Sequence, residues 1–270
     1  MFGSENGGMV EGRVTRGTTG TNRLRRIDRW IATLPALRRA TDPLVVDLGF
    51  GASATTSLEL YDRLATVRPG VEVIGIEIDP ARVRLANERA KPGVSFRLGG
   101  FEVPLPRDRE ATVIRALNVL RQYEESEVID AWQRMTQRLQ PGGTLVEGTC
   151  SELGRVCSWV AITQDGPQSL TVSLRLADLE KPGIVAERLP KVLIHRNVDG
   201  ERVHDFVEAL DRHWQYNAAL SAFGPSQRWI AVAHGMKTDG WPVLGPQSRW
   251  RLGELSVEWQ AIASLDFTWR

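Results

Sequence analysis

The sequence is poor in the residues that most often announce a function: two cysteines, four histidines, four methionines and three tyrosines in 270 residues. Cys150 and Cys157 are too far apart for a C-x-x-C site, and no cluster of His or Cys lies near them. Two reduced thiols in a cytoplasmic protein are therefore expected, with no metal centre and no disulfide framework. No run of about 18 apolar residues exists, which excludes a membrane-spanning helix. The opening stretch "MFGSENGGMVEGRVTRGTTG" lacks the basic-then-apolar pattern of a secretory signal. A formal net charge of +1 excludes a broad electrostatic field of the kind that grips nucleic acid, leaving only local patches. There is no internal repeat and no low-complexity tract. What remains, 42% hydrophobic and 25% charged residues, is the composition of a globular chain with one large core or two small ones.

Residues 1–20 are rich in Gly, Ser, Thr and Asn and read as a flexible segment. Residues 21–42 read as a helical cap, because "NRLRRIDRWIATLPALRR" sets Ile27, Trp30, Ile31 and Leu34 at helical spacing. From Pro43 to about Val146, strand-like and helix-like runs alternate. "PLVVDLG", "VEVIGIEI", "VSFRLG", "ATVIRALNVL" and "TLVEGTC" are the strands, and "PGG" stops the helix before the last of them. Asp79 caps the helix "ARVRLANERA", with Pro80 at its first position. Alternation of this kind specifies a parallel sheet with helices on both faces. Beyond residue 150, "CSWVAITQDGPQSLTVSLRL" predicts an antiparallel pair around an Asp-Gly loop and "GERVHDFVEALDRHWQYNAAL" a helix. "RWIAVAHGM" predicts a strand, and "RWRLGELSVEWQAIA" a final strand pair. The division is a main domain over residues 43–235 and a C-terminal extension over 236–270 packed on it.

"LVVDLGFGASATT" carries the first chemical signal. A strand ending in Gly49-x-Gly51 makes a sharp turn at the carboxyl edge of a parallel sheet, where doubly wound folds bind ligands. Glycines let backbone approach a ligand closely, and the next helix aims its positive end there. Alone, the turn fits a relaxed dinucleotide fingerprint, a sulfonium nucleoside, or a purely structural role. The second strand ends in "GIEID", placing Glu77 beside that turn, where a carboxylate accepts hydrogen bonds from both hydroxyls of an adenosine ribose. NAD and S-adenosylmethionine (SAM) both satisfy that pattern.

In order and spacing, residues 43–150 resemble the class I SAM-dependent methyltransferases. "VVDLGFGAS" resembles their first motif, "VIGIEIDPARV" the second-strand acid and its helix, and "VSFRLGGFEVPLP" the segment bordering adenine. "ATVIRALNVLRQY" resembles the fourth strand, and "RMTQRLQPGGTLVEGT" the helix, turn and fifth strand. The resemblance implies an α/β fold, Rossmann-like and doubly wound. Its mostly parallel sheet would have seven strands, with an antiparallel C-terminal strand pair and an N-terminal helical cap. It also implies SAM as cofactor and S-adenosylhomocysteine as product. Asp47 would orient the methionine end, lined by Gly49, Phe50 and Gly51. Glu77 would hold the ribose, Ile78 would pack on adenine, Gly100 and Phe101 would border it, and Asn118 would lie near the sulfonium. Two positions depart from the family pattern: Ser53 replaces the third glycine, and Gly100 stands where many members carry an aspartate.

Methyl transfer from a sulfonium is an in-line displacement that depends on positioning and exclusion of water, with a base needed only for a protonated nucleophile. No catalytic signature for base methylation is present, neither an Asn-Pro-Pro-Tyr-type run nor a Pro-Cys pair. Candidate bases are His195, His204, His213 and His234, with His195 placed at a strand end, and Tyr123 after the fourth strand. Arg13, Arg16, Arg23, Arg25, Arg26 and Arg29 suggest a lid over the cofactor, a grip on an anionic substrate, contact with RNA, or only a solvated face. The expected acceptor is an O or N nucleophile of a small molecule, lipid or sugar derivative. RNA or protein methylation, and a non-catalytic methyltransferase-like protein that binds a nucleotide or partner, are the alternatives. A homodimer is compatible with the sequence.

Overall fold

The computed structural model describes residues 11–14, 20–106 and 108–269. Most of the expected flexible segment, with Arg16, lies outside the described residues. The chain runs through α1 (Arg25–Ile31), α2 (Pro35–Arg39), β1 (Leu44–Leu48), α3 (Thr55–Ala65), β2 (Glu72–Glu77) and α4 (Pro80–Asn87). It continues through β3 (Val94–Leu98), β4 (Ala111–Leu117), α5 (Glu125–Thr136), β5 (Leu139–Cys150), β6 (Val156–Thr163) and β7 (Gly166–Leu174). Then come α6 (Lys191–Ile194), α7 (Arg202–Tyr216), α8 (Pro225–Thr238), β8 (Val243–Leu244), α9 (Gln247–Trp250) and β9 (Glu254–Glu258).

The strands form one sheet in the order β3-β2-β1-β4-β5-β6-β7-β9-β8. The five strands from β3 to β5 pair in parallel. The remaining four are added antiparallel, as a meander extended by the last two strands. Among the described residues the sheet has nine strands where seven were expected, and four antiparallel strands where a pair was expected. Every residue of β1 and β4 is buried, as required of central parallel strands covered on both faces. Alternate side chains divide between two cores. Val45, Val73, Val113 and Val146 pack under α1, α2 and α3, with Ile27, Ile31, Leu37, Leu60 and Leu64. Val46, Ile74, Ile114 and Leu145 pack on the opposite face with Trp132 of α5 and, farther along the sheet, with α7 and α8.

Local chemistry sets the helix starts. The Asp79 carboxylate accepts from the Ala81 and Arg82 amides at 2.8 and 3.3 Å, with Pro80 behind it. Glu124 and Glu127 form a reciprocal capping box on α5. Helix α5 ends at Thr136, and β5 begins at Leu139, ahead of Pro141-Gly142-Gly143. That run makes an irregularity in the β4–β5 register rather than ending the helix.

Three expectations are corrected. "RWIAVAHGM" lies inside α8, where Trp229, Val232, Ala233 and Met236 recur at helical spacing on a buried stripe. The tail holds one strand of its own, β9, whose partners are β7 and the two-residue β8. His195 caps the short α6 and is not at a strand end. Helix α8 crosses the boundary expected at residue 235, and β8 and β9 belong to the main sheet.

Candidate functional site

Strand β1 pairs with β2 on one side and β4 on the other, so connections leave it in opposite directions. A crevice opens at the carboxyl ends of such strands. Gly49 and Gly51 turn the chain there with φ of 70° and 85°, a region that glycine adopts without steric cost. A Cβ at Gly49 would meet Val119 Cγ2 at 2.6 Å, so the turn is packed closely against the segment after β4.

Glu77 ends β2 in that crevice, 1% exposed. Its Oε2 accepts from the Gly51 amide at 3.0 Å, and its Oε1 from its neighbour's amide, Ile78 N, at 2.9 Å. Arg82 Nη1 stands 3.6 Å from Oε2. The carboxylate is thus fixed in direction while lone pairs on both oxygens remain for hydroxyl donors. A small cavity of about 20 Å³ lies against it, lined by Leu48, Gly49, Glu77, Ile78, Gly99, Gly100, Phe101, Val119 and Tyr123. Five of the nine residues expected for the cofactor therefore meet in one place: Gly49, Glu77, Ile78, Gly100 and Phe101. Gly51 contributes through its bond to Glu77.

The other three serve elsewhere. Phe50 is buried edge-on against Phe96, with centroids 5.2 Å apart. Asn118 adopts φ of 62°, accepts from the Cys150 amide at 3.0 Å and donates to Cys150 Sγ at 3.2 Å. Asp47 departs furthest from its expected role. It accepts from Thr56 Oγ1 and Ser57 Oγ at 2.8 Å each and from Arg115 Nε at 3.0 Å, with Arg115 Nη2 at 2.8 Å. Arg115 also pairs with Asp28 of α1, which Arg63 Nη1 meets at 2.6 Å on its other side. Asp28 and Arg115 are fully buried and Asp47 is 2% exposed. Two arginines are shared among these two acids and Glu59, which meets Arg63 Nη1 at 3.3 Å; the network ties α1 and α3 to the sheet, and Asp47 is engaged in the core.

A segment the sequence did not place completes the site. Glu11, Gly12 and Arg13 form the remaining wall of the cavity. The Glu11 carbonyl accepts from the Phe101 amide at 3.0 Å, and the Glu11 amide donates to Glu102 Oε2 at 3.2 Å. Arg13 lies 4.8 Å from the centre of the Tyr123 ring and pairs with Glu127 at 3.0 Å, while its amide donates to the Tyr123 hydroxyl. Burial pushes the Tyr123 phenol above its ordinary pKa. A Cβ at Gly100 would collide with the Glu11 carbonyl. The glycine that stands in place of an aspartate is thus required by the strap crossing over it.

Among the four histidines, none lines this cavity. His213 Nε2 meets Asp239 at 2.8 Å, His204 Nε2 stands 3.6 Å from Glu208, His195 Nε2 lies 3.1 Å from Lys191 Nζ, and His234 packs on Trp250. Tyr123 is the one candidate base at the site. The two free cysteines, seven residues apart, face each other across β5 and β6. The Cys157 thiol, Arg23 and Asn118 outweigh burial and bring Cys150 down to about 6, while Cys157 is raised. Glu147 shares the α5 face of β5 with Leu145 and is fully buried, with neither carboxyl oxygen hydrogen-bonded among the described residues. The Trp132 indole N–H comes near without reaching hydrogen-bond geometry. Burial raises Glu147 to about 8.

No protein-family model matches the chain, and no curated protein matches it in sequence. Solved structures overlap with part of it. Human N-acetylserotonin methyltransferase in complex with SAM is 23% identical over 49% of this chain and 36% of its own, with a TM-score of 0.36. The CcbJ methyltransferase from Streptomyces caelestis is 22% identical over 58% of this chain and 68% of its own, at 0.38. The N-methyltransferase NodS from Bradyrhizobium japonicum WM9 is 20% identical over 47% and 67%, at 0.34. The chain thus spans about a third of the length of the human protein. Overlaps this partial add nothing to the sheet order and site geometry read directly from the chain.

Proposed function

We propose that the chain is a SAM-dependent methyltransferase acting on an O or N nucleophile of a small molecule, lipid or sugar derivative. The observation that carries this reading is Glu77: a buried carboxylate at the end of β2, oriented by the Gly51 amide, lining a cavity with Ile78 and Phe101. A ribose diol suits the two oxygens, and an adenine suits the apolar sides. When bound, SAM supplies an electrophilic methyl on a sulfonium. The protein's contribution is to hold Glu77 and the glycine turn fixed, exclude water with the strap, and offer the Tyr123 hydroxyl beneath the strap. With Asp47 committed to Arg115, backbone at Gly49 is left to meet the amino-acid end.

At about 20 Å³ the cavity is far smaller than the roughly 300–1,000 Å³ of ordinary ligand pockets, so residues 11–13 act as a lid that must shift to admit a nucleoside. The same two features, the committed Asp47 and the covering strap, favour a second reading: a nucleoside-binding protein of this fold that does not turn over. Thermal unfolding with S-adenosylhomocysteine, SAM, NAD and NADP tests the binding step. The two sulfur ligands are expected to raise the midpoint; silence with both, or a response to NAD alone, rejects the proposal. Methyl transfer to a panel of hydroxyl and amine acceptors then separates the enzyme from the non-catalytic reading.

A further inference from the structure

A second concavity lies where the start of α1 meets the 151–155 loop. It measures about 240 Å³, and four of its lining residues are arginines: Arg25 and Arg26 of α1, with Arg155 and Arg175 beside β6 and β7. Asn22 and Gly154 complete the polar wall. No carboxylate and no aromatic ring lines it among the described residues.

The four charges are poorly neutralised. Arg26 Nη1 donates to Ser173 Oγ at 3.2 Å and to the Leu252 carbonyl at 2.9 Å, both uncharged. The nearby Glu254 is taken by Arg249, at 2.6 and 2.7 Å. Arg175 has Asp178 at 3.5 Å, but that acid is 83% exposed, where an ion pair contributes little. Arg25 and Arg155 have no acidic partner among the described residues. Burial lowers the Arg26 pKa, and the charges of Arg25 and Arg29 lower it further, against opposing contributions from Cys157 and Glu254. Like charges gathered in a concave wall repel one another and leave a focused positive potential.

The walls are also rigid. The Arg175 amide donates to the Arg155 carbonyl at 2.7 Å, so the two arginines are fixed neighbours. The Arg155 amide donates to Ser151 Oγ at 3.1 Å. Gly154 has φ of 63°, and a Cβ there would collide with the Arg23 carbonyl, so the loop and the start of α1 are in direct contact. Asn22 is held by Glu59, which accepts from its amide at 2.9 and 3.0 Å.

We propose that this concavity is a binding site for a compact polyphosphate-type oxyanion, such as pyrophosphate, triphosphate or the diphosphate group of a small molecule. Guanidinium forks match phosphate oxygens in pairs, and four of them suit a ligand with several adjacent negative oxygens. The lack of a stacking ring favours a short polyanion over single-stranded RNA, whose bases use aromatic platforms. The site does not depend on the cofactor reading.

Calorimetric titration of the full chain with pyrophosphate and tripolyphosphate, at ionic strength matched with chloride, tests the proposal. Saturable binding is expected, tighter for tripolyphosphate, and weakened about tenfold in Arg25→Gln and in Arg155→Gln, each removing charge-assisted bonds from an exposed arginine. Arg39→Gln, an exposed change on α2, is expected to bind as the wild type does. Lack of saturable binding overturns the site, and so does equal weakening by Arg39→Gln. Single-stranded RNA that binds while neither phosphate probe competes also overturns it. The S-adenosylhomocysteine response of the same variants reads the cofactor pocket separately and is expected to be unchanged.

Discussion

Glu147 makes stability depend on pH in a direction opposite to that of most carboxylates. Its carboxyl ionises near 8 in the folded chain against an ordinary value of 4.5, because burial penalises the charged form and no hydrogen bond compensates. A folded-state value above the unfolded one means that the folded chain holds the extra proton. The contribution is therefore fully present below about pH 4.5 and is lost as pH rises towards 8. At about 1.4 kcal/mol per pH unit, the loss over that whole interval is on the order of 5 kcal/mol. Urea unfolding from pH 5 to pH 8.5 measures it, with Glu147→Gln and Glu147→Met as the comparison. Glu254, which burial also raises, titrates in the wild type and both variants and cancels in the difference. The wild type is expected to lose about 3–5 kcal/mol more than either variant across the range. Parallel stability curves for wild type and variants would refute the reasoning, since they require Glu147 to be solvated or paired.

Three further outcomes follow from the same structure. Arg115→Met leaves the Asp47 and Asp28 carboxylates facing an apolar group in the core and is expected to cost about 3–5 kcal/mol in urea unfolding; Asp47→Asn added to it should recover part of the loss. Gly100→Ala expels the Glu11 carbonyl, so trypsin should cut after Arg13 faster in the native variant while the unfolding midpoint changes little. Gly49→Ala meets both Val119 and a left-handed φ. It is expected to cost about 1–3 kcal/mol and to abolish the response to S-adenosylhomocysteine even at temperatures where the variant stays folded.

The parallel half of the sheet was legible because its strands are continuous apolar runs with β-branched residues, ended by punctuation that the physics of turns explains: Gly49, Asp79-Pro80 and the acid of "GIEID". Glu77 was legible for the same reason, since strand ends in this topology converge on one edge. What escaped the sequence was pairing at long range. Asp47 carries its motif position, but Arg115, 68 residues on, claims it, and no local pattern announces that bond. The strap over Gly100 depends on a contact between residues 11 and 101; the Cys150–Cys157 apposition is local but depends on the exact β5–β6 hairpin register. Helix α8 was misread because Trp229, Ile230 and Val232 form a short apolar run that suits either a strand or a buried helix. Its 3-4-7 spacing, continued to Met236, is the signal that separates them.

The measurement that bears most directly on the central claim is the dissociation constant of S-adenosylhomocysteine, determined by titration calorimetry on the wild type and on Glu77→Gln. The claim predicts saturable binding by the wild type and a loss of about tenfold or more in the variant, because an amide replaces the oxygens that accept the ribose hydroxyls. Undetectable binding by the wild type, or equal affinity in a folded Glu77→Gln protein, would contradict it.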